Sequence, residues 1–327
     1  MKPTSAFLAV IFFCVAVSPG AFAQSGSSKH RVNSPAAKGE DSAIVARQNP
    51  SPMVEYIRAH KRILKRDYAG VDFKLQGLLP KEIDVFIPEK DVRNRRFDLL
   101  FHFHGANYVV RYAATRYPGS IITASVTLGD GSSVYGRAFR DTTKFPPLID
   151  SIRSEVAAHL HHAVRLRRII LSGWSAGYGA VRQILGTSGN YNRVSAVLLQ
   201  DGIHASYIPE GRPLAEGGRI DSTDLQTFIE LAADASRPAS KKKFLITHSE
   251  IFPGTFVSTT EATHYILDKL GIKEVPVLRW GPLGMQQLSI ARRGHFAIYG
   301  FAGNTAPDHI DHFESLYFTV KIGLPET

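Results

Sequence analysis

The sequence predicts an α/β protein, a three-layer sandwich in which helices flank a mostly parallel central sheet. From about residue 80 onward, short apolar runs alternate with segments whose apolar residues recur at helical spacing. The apolar run at 169–171 has no polar alternation, which is typical of a strand buried on both faces of a parallel sheet. Alternating strands and helices imply right-handed crossovers between parallel strands. About 300 residues suffice for one large domain of this kind.

The predicted elements follow one another at regular intervals. Strands are predicted at 82–88, 96–104, 121–128, 169–171, 194–199 and 243–247. Helices are predicted at 53–68, 148–164, 180–185, 224–235 and 259–270, with a closing helix from 309 onward. The first strand stops at Pro88, which suits an edge strand. The apolar runs 288–291 and 295–301 predict either a hairpin or an extension of the last strand.

The N-terminal residues are predicted to lie outside the α/β domain, which then spans 53–327. Residues 1–23 combine an early lysine, an apolar run and a small-x-small site at Ala21-Phe22-Ala23, the pattern of a signal peptide. Residues 24–52 are polar and lack any period, which favours a flexible leader. We therefore expect an exported protein, periplasmic or extracellular, with no integral membrane span after processing.

Composition restricts the chemistry and the partners. The only cysteine, Cys14, falls in the predicted signal peptide, so the mature chain would have no disulfide, cysteine nucleophile or cysteine metal site. The formal charge is +10, but the basic residues are scattered in short clusters. A nucleic-acid face would have a continuous basic stripe with interleaved aromatic residues, so no nucleic-acid partner is expected. The charge instead favours a solvated surface or attraction to an anionic envelope.

One short segment carries the strongest chemical signal. Gly173-Trp174-Ser175-Ala176-Gly177 matches G-x-S-x-G, in which a serine occupies a sharp turn between a strand and a helix. The apolar run before it and the helical spacing after it provide that strand and that helix. Side chains at 173 and 177 would collide with neighbouring backbone, which explains both glycines.

Four segments together resemble the α/β-hydrolase superfamily. They are HFHG at 102–105, GWSAG at 173–177, LLQDG at 198–202 and APDHIDH at 306–312. The resemblance covers the chain from about residue 80 to its end. That superfamily places a catalytic serine first, an acid second and a histidine last, each following a strand. The resemblance implies the α/β-hydrolase fold and Ser175 as the nucleophile.

The resemblance also implies where the base lies. His309 follows the last predicted strand and opens the final helix, in the loop where the family keeps its catalytic histidine. His312, one helical turn later, is the alternative. The hydroxyl of Ser175 needs such a base because it is a weak nucleophile at neutral pH.

The acid has two candidates. The family usually takes it after the strand predicted at 243–247, often as Asp-Pro, but here Phe252 precedes the proline and Glu250 lies two residues earlier. Some members use the end of the preceding strand, which is Asp201 in this chain. Asp201 is favoured, and an Asp-Gly turn without catalytic function remains an alternative.

The resemblance implies an oxyanion hole formed by the backbone N–H of Ala176 and one from Gly105, Ala106 or Asn107. Here Ala106 and Asn107 replace the further glycines of the family's fuller His-Gly-Gly-Gly form. Candidate residues for a substrate-binding wall are Trp174, Tyr178, His204 and Tyr207.

These assignments predict a secreted serine hydrolase. The favoured activity is that of a carboxylic-ester hydrolase that acts through an acyl-enzyme. Its substrate would be a small-molecule or polysaccharide acyl ester, and it would require no metal or organic cofactor. The alternatives are a serine peptidase or acyltransferase on the same fold, or a catalytically silent hydrolase-like binding protein.

Overall fold

The computed structural model describes residues 59–324, so the predicted signal peptide 1–23 and leader 24–52 lie outside the described residues. The strands are β1 (Gly70–Leu75), β2 (Ile83–Pro88), β3 (Arg96–Phe103), β4 (Ile121–Val126), β5 (Arg165–Trp174), β6 (Val194–Gln200), β7 (Tyr207–Ile208), β8 (Arg219–Ile220), β9 (Lys243–His248), β10 (Val275–Trp280), β11 (Gln286–Arg293) and β12 (Phe296–Phe301).

The helices lie between these strands. They are α1 (Asn107–Arg116), α2 (Ser132–Ala138), α3 (Phe145–Leu160), α4 (Tyr178–Leu185), α5 (Ser188–Arg193), α6 (Gln226–Ala235), α7 (Thr259–Leu270), α8 (Ala306–Glu314) and α9 (Leu316–Gly323). None of the helices described between residues 59 and 324 has the length and apolar character needed to cross a bilayer.

One large sheet organises the described residues. Its strand order is β1-β2-β4-β3-β5-β6-β9-β12-β11-β10, while β7 and β8 form a separate two-stranded ribbon. The six central strands, from β4 to β12, are parallel, and antiparallel strands complete both edges. Side chains of α3, α4, α6 and α7 pack on one face, and those of α1, α8 and α9 pack on the other. The predicted three-layer α/β architecture is confirmed.

Two predictions near the start of the domain are wrong. Residues 53–58 lie outside the described residues, and 59–68 are not helical. There the chain runs along α8, where His60 and Arg62 bind the buried carboxylate of Asp311 and the Ile63 amide donates to Glu314 at 2.7 Å. These long-range contacts override the local periodicity. Strand β2 is not an edge strand either, because β1 pairs with it from Gly70 to Leu75.

Strands β11 and β12 decide between the two predictions for residues 288–291 and 295–301. β11 and β12 pair antiparallel, and Gly294 adopts a left-handed φ of 57° in the turn between them. The two apolar runs are therefore a hairpin rather than one extended strand. The unpredicted strand β10 lies outside this hairpin, with five of its six residues exposed, so its sequence carries no burial pattern that indicates a strand.

Candidate active site

Ser175 lies at a strained turn between β5 and α4. Its φ of 47° is in the left-handed region, which non-glycine residues rarely occupy. A Cβ at position 177 would lie 2.1 Å from the carbonyl oxygen of Phe103, and one at 173 would lie 2.9 Å from the Gly177 backbone. Both positions therefore require glycine, and the turn projects Ser175 beyond the carboxyl end of the central strand.

Asp201 and His309 form a direct pair beside this turn. Asp201 follows β6, which neighbours β5, and His309 lies in the first turn of α8. The His309 Nδ1 is 2.7 Å from Asp201 Oδ2. An ionised carboxylate only accepts hydrogen bonds, so Nδ1 carries the proton and Nε2 keeps its lone pair. The His309 side chain is 24% exposed and that of Asp201 only 4%, so the imidazole extends from a buried acid toward the surface.

Packing joins this pair to the serine turn. The Trp174 ring lies 4.8 Å from the His309 ring, and its Nε1 donates to the His309 carbonyl at 3.0 Å. A Cβ at Gly202 would lie 2.4 Å from the Ser175 carbonyl oxygen and 2.6 Å from its nitrogen. The loop that carries Asp201 therefore rests directly on the Ser175 backbone.

The acid is held by the residues that follow β9. Ser249 donates from its backbone N–H to Asp201 Oδ1 at 3.0 Å and from its hydroxyl to Oδ2 at 2.7 Å. Burial by itself raises the pKa of a carboxyl group, but nearby His312 and the bonds from His309 and Ser249 lower the pKa of Asp201 below its ordinary value. Asp201 is therefore ionised at neutral pH.

The alternative acid and base make other contacts. Glu250 pairs with Gly303, donating its N–H to the Gly303 carbonyl at 2.8 Å and accepting from the Gly303 N–H at 3.4 Å. His312 is fully buried, with Nδ1 2.9 Å from the Thr247 hydroxyl, and burial lowers its pKa to about 4. These contacts favour Asp201 and His309 over Glu250 and His312.

The 104–107 loop follows β3, which pairs with β5 so that Phe103 lies opposite Gly173. Gly105 has a φ of 112°, and a Cβ there would lie 2.5 Å from the Phe313 ring. Its N–H donates to the Thr127 hydroxyl at 3.1 Å. The N–H of Gly105 is therefore already engaged, which leaves the amides of Ala106 and Asn107, where α1 begins, as the candidate oxyanion donors of this loop.

The mostly parallel sheet agrees with what the resemblance implies. Ser175, Asp201 and His309 also occur in the implied order along the chain, after β5, β6 and β12. The chain has the α/β-hydrolase fold. No family model and no curated protein matches it.

Solved structures of several hydrolases resemble this α/β-hydrolase fold at low identity. An acylaminoacyl peptidase from Pyrococcus horikoshii is 15% identical over 78% of this chain, with a TM-score of 0.40. This chain spans only 41% of that peptidase's length. An S-formylglutathione hydrolase from Agrobacterium tumefaciens is 13% identical (77% of this chain, 97% of that one, TM-score 0.42). A feruloyl esterase module from Clostridium thermocellum is 10% identical (79% and 90%, TM-score 0.39).

The four predicted wall residues differ in their surroundings. Trp174 stacks between His104 and Phe313, with both ring centroids 5.0 Å away. His204 is half-buried, and its Nδ1 lies 3.0 Å from the Val257 carbonyl. Tyr178 and Tyr207 are buried, and the Tyr207 hydroxyl donates to Glu261 at 2.7 Å. Trp174 and His204 are thus the two that have surface to offer a substrate.

A buried polar chain behind the site was not predicted. His102 Nδ1 lies 3.0 Å from the Ser172 hydroxyl, Ser172 donates to Gln200 at 3.2 Å, and Gln200 donates to Thr319 at 3.0 Å. Burial lowers the pKa of His102 to about 3, so its ring is neutral. The available signal was His102 within one apolar strand run, and Ser172 and Gln200 directly after two others. The chain ties β3, β5 and β6 to α9 directly behind the site.

One cluster among residues 59–324 has the composition of a metal site. His60, Asp308 and Asp311 bring one ligand atom each within 4.8 Å of the others. The guanidinium of Arg62 already binds Asp311 and donates to the Pro307 carbonyl at 3.0 Å. Because the positive guanidinium of Arg62 already binds the Asp311 carboxylate, it would repel a metal cation at this position. The cluster is better explained as the attachment of the 59–68 segment to α8.

Proposed function

We propose that this protein is a serine hydrolase that acts on carboxylic esters through Ser175, His309 and Asp201. The observation that carries the proposal is the 2.7 Å pairing of His309 Nδ1 with the buried Asp201 beside the strained Ser175 turn. A buried acid that orients a histidine next to a serine is the arrangement that activates a hydroxyl nucleophile.

The chemistry follows from these positions. Ser175 Oγ bonds to the acyl carbon while its proton moves to His309 Nε2, and Asp201 stabilises the resulting imidazolium. The C–O bond to the alcohol then breaks, and His309 returns the proton to the departing oxygen. Water then adds to the acyl carbon while His309 takes its proton. The bond from that carbon to Ser175 Oγ breaks, and His309 returns the proton to Oγ as the carboxylic acid leaves. The amide of Ala176 with that of Ala106 or Asn107 would stabilise the oxyanion.

A fluorophosphonate probe tests the nucleophile. It should label one serine, Ser175, and Ser175→Ala should abolish labelling and lower kcat on simple acyl esters by on the order of a million-fold. Ser188→Ala, on α5, should leave both unchanged. Labelling that persists in Ser175→Ala would place the nucleophile elsewhere. A folded protein that neither reacts with the probe nor hydrolyses any ester would contradict the proposal.

A further inference from the structure

The hydroxyl of Thr127 contacts both polar backbone groups of Gly105. Thr127 directly follows β4 and is exposed. Its Oγ1 lies 3.1 Å from the Gly105 nitrogen and 2.8 Å from the Gly105 carbonyl oxygen. A backbone N–H only donates, so the Gly105 N–H donates to Oγ1 and the hydroxyl proton is donated to the Gly105 carbonyl. One side chain thus holds both polar groups of a single residue in the 104–107 loop.

The bond to the carbonyl also sets the direction of the next amide. The C=O of Gly105 and the N–H of Ala106 belong to one peptide unit, and the bond between these residues is trans. A trans peptide unit is planar, and its C=O and N–H point in opposite directions. Because Thr127 binds the carbonyl oxygen, the Ala106 N–H points away from Thr127. The hydroxyl therefore orients an N–H that it does not itself contact.

The order of the strands shows where this N–H is directed. Strand β3 lies between β4 and β5, with Phe103 paired to Val126 on one side and to Gly173 on the other. Thr127 follows β4, whereas Ser175 follows β5. An N–H of the loop after β3 that points away from Thr127 is therefore directed toward the β5 side of the loop, where Ser175 lies.

The polar backbone groups around this amide are already engaged. The His104 N–H donates to the Val126 carbonyl at 3.0 Å, and the His104 carbonyl accepts from His102 Nε2 at 2.7 Å. The Ala106 carbonyl accepts from the Val109 N–H at 3.2 Å, at the start of α1. Among residues 59–324, by contrast, no acceptor is paired with the Ala106 N–H. This N–H is therefore available to an oxyanion.

We propose that Thr127 is a positioning residue for the Ala106 N–H, which is the second oxyanion donor beside Ala176. The inference rests on the proposed hydrolase function and assigns this donor within the 104–107 loop. An N–H that is already oriented stabilises developing negative charge better than a mobile one, because it need not reorganise as the charge forms. Thr127 thus acts on the transition state rather than on binding of the ester.

Thr127→Val tests this role because it removes the hydroxyl and keeps the branched shape. Water can bind the exposed Gly105 backbone in its place, so the melting temperature should stay close to that of the wild type. With the Ala106 amide no longer fixed, kcat on a soluble acyl ester should fall about tenfold with KM nearly unchanged, a smaller loss than deletion of a donor causes.

Two variants serve as controls. Thr127→Ser retains the hydroxyl and should keep most of the wild-type kcat. Thr115→Val removes another exposed hydroxyl, which donates to the Arg111 carbonyl at 2.9 Å outside the loop, and should change neither kcat nor KM.

A trifluoromethyl ketone measures the oxyanion hole directly. Ser175 Oγ bonds to its carbonyl carbon, the hydroxyl proton passes to His309, and the carbonyl oxygen becomes an oxyanion. Because this adduct resembles the transition state, its inhibition constant should rise in Thr127→Val by the same factor by which kcat falls. A rise in KM with an unchanged inhibition constant would contradict the positioning role.

Removal of the amide itself completes the test. Ala106 has a φ of −78°, which proline adopts, so Ala106→Pro deletes the N–H at a compatible backbone conformation. This variant should lower kcat by roughly 100- to 1,000-fold. Thr127→Val should add little in that background, because Thr127 is expected to act only through this N–H.

The outcomes separate this inference from the proposed function. Wild-type kcat and inhibitor affinity in Thr127→Val, or a loss that adds fully to that of Ala106→Pro, would overturn the positioning role and leave the hydrolase proposal in place. A wild-type protein that neither hydrolyses an ester nor binds the ketone would contradict the hydrolase proposal and, with it, this inference.

Discussion

Ser249 binds both oxygens of the Asp201 carboxylate, with its N–H 3.0 Å from Oδ1 and its hydroxyl 2.7 Å from Oδ2. Both residues are buried. Ser249 directly follows β9, and Asp201 follows the neighbouring strand β6. The loop after β9 thus holds the carboxylate that we propose as the catalytic acid, and in that proposal Ser249 is a positioning residue for Asp201.

Removing this hydroxyl should impair catalysis more than binding. Ser249→Ala deletes a hydrogen bond to a buried charge, a loss of roughly 1.5–3 kcal/mol, and weakens the hold on Asp201, which keeps the backbone bond from residue 249. We expect kcat to fall about 10- to 100-fold with KM nearly unchanged. Steady-state kinetics on a soluble acyl ester measure both values.

Two comparisons separate positioning from a general packing defect. Ser236→Ala removes another buried hydroxyl, which donates to the Ala232 carbonyl, and should retain wild-type kcat. In an Asp201→Asn background, Ser249→Ala should lower kcat little further, because Ser249 is expected to act only through the Asp201 carboxylate, which that background lacks. Additive losses in the double variant would show that Ser249 acts in another way.

Three histidines, one buried and two half-buried, should make the protein less stable in mild acid. Burial lowers the pKa of His104, His204 and His312 to about 4 each. In the unfolded chain these three imidazoles take up protons below about pH 6.5, whereas in the folded chain they do so only near pH 4. The free energy of unfolding therefore falls as the pH drops from about 6.5 to about 4. The half-exposed His264 has a raised pKa through its bond to Glu274 and opposes this trend only weakly.

Urea unfolding at about pH 7.5, 6 and 5 measures this slope. His312→Asn cannot take a proton and should flatten the dependence relative to wild type. His161→Asn is the matched control, because His161 is exposed and its left-handed backbone tolerates asparagine. Equal or greater stability at pH 5 would contradict this account.

Local sequence was sufficient where geometry depends on adjacent residues. The turn at Ser175 was predictable because glycines at 173 and 177 and the flanking periodicities are all contained in one segment. The central strands were predictable because their burial on both faces leaves continuous apolar runs. Strand β1 has no continuous apolar run, but Val71, Phe73 and Leu75 alternate with polar or small residues, which is the pattern of a half-buried strand and was an available signal.

Features that depend on contacts between distant segments could not be predicted from local sequence. Choosing Asp201 over Glu250 depends on where β6 and β9 end relative to α8, which the pairing of the strands determines. Segment 59–68 has helical spacing but is not helical, because Asp311 and Glu314, about 250 residues later, provide its partners. The need for glycine at 202 likewise arises from Ser175, in another loop.

Export is a separate prediction that concerns residues 1–23. If Ala21-Phe22-Ala23 is a signal-peptidase site, protein from the native host should begin at or near Gln24. Intact-mass spectrometry of the protein from the envelope or medium measures this. A mass that includes Met1 in those fractions would contradict the predicted processing.

The last prediction separates the two candidate acids. Asp201→Asn keeps the shape of the side chain but removes the charge that fixes the His309 tautomer and stabilises the imidazolium, so kcat should fall by roughly ten thousand-fold. Glu250→Gln should have a much smaller effect, because Glu250 binds the Gly303 backbone through contacts that an amide can partly retain. Melting temperature must accompany the kinetics, since Asp201 also has a left-handed φ of 42° that asparagine tolerates. Comparable melting temperatures with a large difference in kcat identify Asp201 as the acid. Loss of turnover in Glu250→Gln, with Asp201→Asn still active, would show that the acid is Glu250 and would leave the hydrolase proposal in place.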